Sequence, residues 1–298
     1  MIKIFFLSFI ILFSNSIFAE DILNLTFLGT GTPRPNIDKL GPSILLNYKN
    51  EEILLDVGRG TVVRLSQIGN DFSKINNIYI SHFHYDHIVG LADLWLTSNL
   101  WQKKENTNVY GPKGIKKFCD GLIKSYNEDI SYRYKDKNYS KLNCKNFTEV
   151  SDETSLLNIT PFKNSHGHID NSYGFKISYL SKNIVYSGDT TISDNVIHNA
   201  TGSDILIHEI IASSEKLFKN NKKLRDMSST HTTIEQLISV LKVAKPKLTI
   251  LNHALLFGVS ESDVLKSISN EYKGDVIFAK DFMSIDLGQE LNIFTIER

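Results

Sequence analysis

The run His82-Phe83-His84-Tyr85-Asp86-His87 constrains this chain more than any other stretch. It follows residues 75–80, an apolar segment that reads as a buried strand. In extended backbone, residues two apart point to the same side, so His82 and His84 can reach one ion. A turn after His84 lets Asp86 and His87 face a second ion beside it. Imidazole and carboxylate donors together suit zinc, with manganese or iron less favoured. One hexapeptide cannot complete two coordination shells, so further ligands are expected downstream.

Three later segments supply them. Ser165-His166-Gly167-His168 offers His166 or His168, Gly188-Asp189-Thr190 offers Asp189, and Asn252-His253 offers His253. Taken singly, each is ordinary, since an Asp in a turn usually caps it and a His at a strand end usually makes a hydrogen bond. In this order behind the cluster they read as a set, and an aspartate between two cations can bridge them with its two oxygens. The surrounding plan agrees. Apolar stretches at 22–28, 43–47, 52–56, 75–80, 183–187, 204–207 and 247–251 end in polar residues, and helical patterns lie between, notably at 233–244 and 260–270. Buried strands alternating with helices in two halves predict an α/β layered domain with its site at the strand ends. The turn Gly29-Thr30-Gly31-Thr32-Pro33 is not a dinucleotide loop, because Pro33 and Pro35 stand where the helix would begin.

Composition removes other classes. With 33 Lys and Arg against 33 Asp and Glu, there is no chain-wide basic footprint for nucleic acid. Two cysteines, Cys119 and Cys144, cannot build a disulfide-dense scaffold or a cysteine-rich zinc module, and whether they pair is open at this level. A positive start at Lys3, an apolar run to Phe13 and a more polar stretch ending at Ala19 read as a signal peptide over residues 1–19. One domain is expected over residues 20–298, secreted or periplasmic, without stable membrane insertion once the leader is cleaved.

On these residues the chain resembles the metallo-β-lactamase superfamily. The resemblance is carried by Phe27-Leu28-Gly29-Thr30-Gly31, Leu55-Asp56-Val57-Gly58, the His82 cluster, Gly188-Asp189-Thr190 and His253. It implies a four-layer αββα sandwich holding two zinc ions at one edge. By that resemblance His82, His84 and His166 hold one ion, Asp86, His87 and His253 the other, and Asp189 bridges. His166 is preferred to His168 because Asn-Ser-His-Gly, followed by Tyr173-Gly174-Phe175-Lys176, is similar to the family's spacing. His84 stands where the iron-dependent redox branch carries a glutamate, so a hydrolase is implied. The common β-lactamases carry a cysteine where Asp189 stands, which argues against that activity.

Gly58-Arg59-Gly60-Thr61, Gly90-Leu91-Ala92-Asp93-Leu94-Trp95, Val109-Tyr110-Gly111-Pro112, His208-Glu209 and Thr230-His231-Thr232-Thr233 are similar to the branch containing ribonuclease Z and the zinc-dependent arylsulfatases. The expected activity is hydrolysis of a small anionic ester, a phosphodiester or an aryl sulfate, by metal-activated hydroxide. Asp86 would orient the nucleophile, His231 would protonate the leaving oxygen and Glu209 would position His231. A ribonuclease Z-like nuclease and a non-catalytic metal-binding protein are the alternatives. Nucleic acid is not expected as a partner, because Ala254-Leu255-Leu256-Phe257-Gly258 lacks the Ser-x-Arg-Tyr continuation of ribonuclease Z, no Gly-rich basic arm is visible, and an exported protein meets no precursor tRNA. Related enzymes are often dimers, so a homodimer is allowed.

Overall fold

The computed structural model describes residues 22–49, 51–136, 138–147 and 156–297. The leader expected over residues 1–19 therefore lies outside the described residues. The first six strands are β1 (Leu23–Gly29), β2 (Ser43–Tyr48), β3 (Glu51–Leu55), β4 (Ile75–Tyr79), β5 (Thr107–Gly111) and β6 (Leu142–Asn146). The next six are β7 (Asn158–Lys163), β8 (Tyr173–Tyr179), β9 (Lys182–Tyr186), β10 (Ile205–Ser213), β11 (Leu248–Phe257) and β12 (Asp275–Phe278). The last two, β13 (Met283–Leu287) and β14 (Leu291–Thr295), join the first six in an eight-stranded sheet ordered β14-β13-β1-β2-β3-β4-β5-β6. The second sheet has six strands ordered β12-β11-β10-β9-β8-β7.

Alternation along the strands explains the layering. Leu23, Leu25 and Phe27 of β1, Ile44 and Leu46 of β2, and Ile53 and Leu55 of β3 face Phe175, Ile177, Ile184, Ile205 and Ile207 of the second sheet in one shared core. The intervening Leu28, Leu45 and Leu54 face the other way. There they meet helices α1 (Thr61–Gln67), α3 (Leu91–Leu100), α4 (Ile115–Ser125) and α5 (Asn127–Arg133), through Leu65, Leu94, Trp95, Ile115 and Ile130. On the far face of the second sheet, Val185, Leu206 and Leu251 pack against α6 (Asp194–Ala200), α9 (Ile234–Ala244) and α10 (Glu261–Glu271). Both sheets are covered on both faces, which is why their strands read as nearly unbroken apolar runs. The order helix, sheet, sheet, helix is the expected αββα sandwich.

The two expected helices begin at capping boxes, Thr233 with Gln236 and Ser260 with Asp263. Cys119 of α4 and Cys144 of β6 form a disulfide with Cα atoms 6.5 Å apart. Among the described residues, no helix is long and apolar enough to cross a membrane.

One expectation needs correction. Residues 204–207 and 247–251 were expected to end their strands just before His208-Glu209 and Asn252-His253. Instead β10 and β11 run on together to Ser213 and Phe257, with a register shift between His208 and Ile210. His253 sits at φ 49°, so the ladder is interrupted at the site residues rather than terminated by them.

Candidate metal centre

Strand ends from both sheets converge at one edge. His82 follows β4, and Ile80 N–H donates to Tyr110 O at 2.8 Å, keeping that segment extended beside β5. His84 then caps the short helix α2 (Tyr85–Ile88), whose first turn carries Asp86 and whose last residues include His87. His166 lies between β7 and β8, Asp189 after β9, and His253 inside β11. Gly188 is required where it stands. Its φ is 59°, and a Cβ there would lie 2.5 Å from Tyr173 O, so a side chain would push Asp189 out of place.

Two donor groups hold the expected ligands, and a third, overlapping one joins His231 to Asp189 and His253. His82, His84, His166 and Asp189 bring one ligand atom each within 4.8 Å of one another, and Asp86, His87 and His253 do the same. Asp189 faces both. Its Oδ2 lies 3.8 Å from His82 Nε2 and 3.4 Å from His87 Nε2, and its Oδ1 lies 3.6 Å from His253 Nδ1. Buried polar atoms normally have partners. Yet His82 Nε2, His87 Nε2, Asp189 Oδ1 and His253 Nδ1 are buried and make no hydrogen bond, and all four face the space between the groups. A nitrogen and oxygen donor set left unpartnered in this way fits divalent cations of the zinc type.

The outward atoms are held in place. His166 Nδ1–H donates to Thr230 O at 2.7 Å, leaving Nε2 3.3 Å from His84 Nδ1. His87 Nδ1 lies 2.8 Å from Asp56 Oδ2, which fixes which nitrogen carries the proton. Asp56 is fully buried at φ 58°, and it also accepts from Ser81 N–H at 2.7 Å, Ser81 Oγ–H at 2.8 Å and Tyr186 O–H at 2.9 Å. Burial pushes His82 well below the usual imidazole value, and the neighbouring His87 and His166 add to that, so it presents a free lone pair. Burial opposes the charge on Asp189, but His253, His87 and His82 outweigh it and hold its carboxyl well below the usual carboxylate range.

His231 stands over the donors, its ring 5.0 Å from that of His166 and stacked 6.1 Å from that of His253. Its Nδ1 lies 3.1 Å from Glu209 Oε1. Burial favours the neutral ring, but the Glu209 carboxylate overcomes this and pushes the His231 pKa up to about 9. The same Glu209 oxygen accepts from Thr190 N–H and Thr232 N–H, each at 3.1 Å, so it ties the Asp189 turn to the His231 segment.

The structure thus brings together His82, His84, Asp86, His87, His166, Asp189 and His253, with His231 and Glu209 beside them. His168 is exposed and belongs to neither donor group. His208 is buried, with Nδ1–H donating to Glu209 O at 2.7 Å, away from the donors. Sequence reasoning missed Asn164, whose side-chain amide donates to Ser187 O at 2.6 Å and Asp189 O at 3.1 Å. It also missed Tyr186. The only signal for Asn164 was its place two residues before His166.

A family model described as "Anti-Pycsar protein Apyc1" matches residues 23–254, which include every one of these residues. The chain belongs to this family. It is also similar to ribonuclease Z of Mycobacterium bovis, 24% identical over 280 residues, spanning 89% of this chain and 99% of that protein. Among solved structures it is similar to the metallo-β-lactamase fold protein YhfI of Bacillus subtilis, with TM-score 0.69, 20% identity and 90% and 100% of the two chains covered. Human tRNase Z, short form, gives TM-score 0.64, 21% identity and coverage of 92% and 100%. The fold of this chain is the metallo-β-lactamase fold.

These findings correct two expectations. Hydrolysis of a small phosphodiester or aryl sulfate ester by an exported enzyme was the main reading, with nucleic acid excluded as a partner. The nearly full-length similarity to ribonuclease Z overturns both and favours the nuclease alternative. The exclusion rested on residues 254–258, on a missing basic arm and, decisively, on export, whose expected leader lies outside the described residues. Residues 254–258 directly follow His253 but supply none of the donors, so neither they nor the missing arm bore on the cleavage chemistry.

Proposed function

We propose that the protein is a metal-dependent nuclease of ribonuclease Z type that hydrolyses a phosphodiester bond in RNA. The observation that carries this reading is Asp189 facing two donor groups, with four buried inward atoms, His82 Nε2, His87 Nε2, Asp189 Oδ1 and His253 Nδ1, that lack protein partners. His82, His84 and His166 would hold one zinc ion, Asp86, His87 and His253 the other, and Asp189 would lie between them. Bound ions would supply Lewis acidity and a lowered water pKa. Asp86, 3.2 Å from His253 Nε2, would orient the attacking water. His231, kept protonated by Glu209, would hold the phosphoryl oxygens and give its proton to the leaving ribose oxygen. Asp56, Ser81 and Tyr186 would keep His82 and His87 pointed inward.

The test is turnover of a short RNA, of cyclic mononucleotides and of bis(p-nitrophenyl) phosphate, with bound metal measured in parallel. RNA cleavage that a chelator stops and zinc restores is expected. Turnover confined to mononucleotides would move the assignment to nucleotide-sized substrates, and retained turnover in the metal-free protein would overturn the mechanism.

The His231–Glu209 pair adds a pH signature. In Glu209→Gln, His231 loses the neighbour that raises its pKa, so the protonated form disappears at lower pH. The alkaline limb of the kcat/KM profile is expected to move down by about one to three units. An unmoved limb would remove His231 from the proton-donor role.

A further inference from the structure

Two donors reach the centre on separate loops, His166 between β7 and β8 and Asp189 after β9. His82, His84, Asp86 and His87 instead share one segment, braced by the contacts of Asp56 with Ser81 and His87. The two loops are tied to each other through Asn164, the first residue after β7. Its amide donates to Ser187 O and Asp189 O, the carbonyls on either side of Gly188, whose φ of 59° sets the turn. The approach is close, since a Cβ on Gly188 would lie 3.2 Å from Asn164 Nδ2. The orientation of the amide is forced, because the flipped form would set Oδ1 against two carbonyl oxygens. Oδ1 is buried and takes no hydrogen bond, so the two donated bonds are what hold the side chain. The backbone extends the junction. Asn164 N–H donates to Ser172 O at 3.2 Å, and Ser172 Oγ–H to the same Asp189 O at 3.3 Å. Ser165 N–H donates to Thr190 Oγ1 at 3.2 Å and Thr191 N–H to Ser165 O at 2.6 Å, so the bonding reaches the residue before His166.

We propose that Asn164 is a positioning residue that fixes the Asp189 carboxylate against the His166 ring, and so sets the fit of the donor group formed by His82, His84, His166 and Asp189. That group draws two of its four donors from the clamped loops, whereas Asp86, His87 and His253 lie outside them. Loss of the clamp therefore acts unequally on the two groups. The inference rests on the two-ion part of the proposed function, and deepens it by naming what holds the carboxylate between the groups in register.

The test is a zinc titration of the metal-free full chain against a chromophoric chelator, for the wild type and for Asn164→Ala, Asn164→Ser and His166→Ala, with urea unfolding in parallel. Wild type is expected to take up two ions. Asn164→Ala is expected to weaken one binding step roughly 10–100-fold, the range for losing a group that orients a ligand, and the other by no more than about threefold. In a His166→Ala background, which already lacks a histidine of the affected group, Asn164→Ala is expected to add no more than about threefold. Asn164→Ser keeps a shorter donor and should fall between wild type and Asn164→Ala, and it carries the same comparison if the alanine variant does not fold. Two steps like those of the wild type, or both weakened equally, with only the urea midpoint lowered, would reduce Asn164 to a structural role and overturn the inference while leaving the two-ion reading in place. A full further loss in the His166→Ala background would also overturn it. Wild-type protein that takes up a single ion would overturn both.

Discussion

Turnover of RNA by the Asp189→Asn variant is expected to fall on the order of a thousandfold or more, with bound zinc dropping from two equivalents toward one. Among the described residues, Asp189 is the carboxylate that faces both donor groups, with Oδ2 toward His82 and His87 and Oδ1 toward His253. An amide keeps the shape and one acceptor oxygen, but it loses the charge and replaces the second acceptor with a donor. Metal content and kcat/KM measured on the same preparation check this, with circular dichroism to confirm the fold. Near wild-type turnover with two bound ions would remove Asp189 from the bridging position and with it the two-ion reading.

The second large effect is on stability. Asp56→Ala strips the partner from four buried donors at once, Ser81 N–H and Oγ–H, His87 Nδ1–H and Tyr186 O–H. Each buried donor left unsatisfied costs about 1–3 kcal/mol, and breaking a buried charged pair costs about 3–5 kcal/mol. These terms overlap, so a loss of about 4 kcal/mol or more is expected in urea unfolding of the metal-free protein. Asp56→Asn separates the causes, because Asn tolerates the left-handed backbone at φ 58° while removing the charge. It should lose roughly half as much. A cost under about 1 kcal/mol for Asp56→Ala would mean that water or a rearranged Tyr186 replaces the carboxylate.

The donor residues were legible in the sequence because metal chemistry is local. Two-residue spacing at a strand end places His82 and His84 on one side whatever the rest of the chain does. Choosing between His166 and His168 was harder, since both are histidines in a polar turn. What decides their placement is the Thr230 carbonyl, 64 residues further on, which takes the His166 Nδ1 proton. The reach of Glu209 to Thr190 and Thr232 was invisible for the same reason, as it depends on where β10 passes between two distant loops. Strand extents failed at β10 and β11 because polar His208, Glu209, Asn252 and His253 look like strand ends in sequence, whereas a register shift lets the ladder carry them in mid-strand. The substrate expectation failed because features absent from residues that supply no donor were weighed as though they were evidence about the centre.

The pairing of β1 has a consequence for synthesis. Leu23–Gly29 lies between β2 and β13, so one side of this strand is satisfied only by Met283–Leu287, some 260 positions later. During vectorial translation this strand keeps an unpaired apolar edge until residues 284–287 have been made. Closing such distant pairings is slow, and an open edge in the meantime invites association with other chains. The order in which this fold completes itself therefore makes the nascent chain a client for protection against aggregation long before it can bind metal.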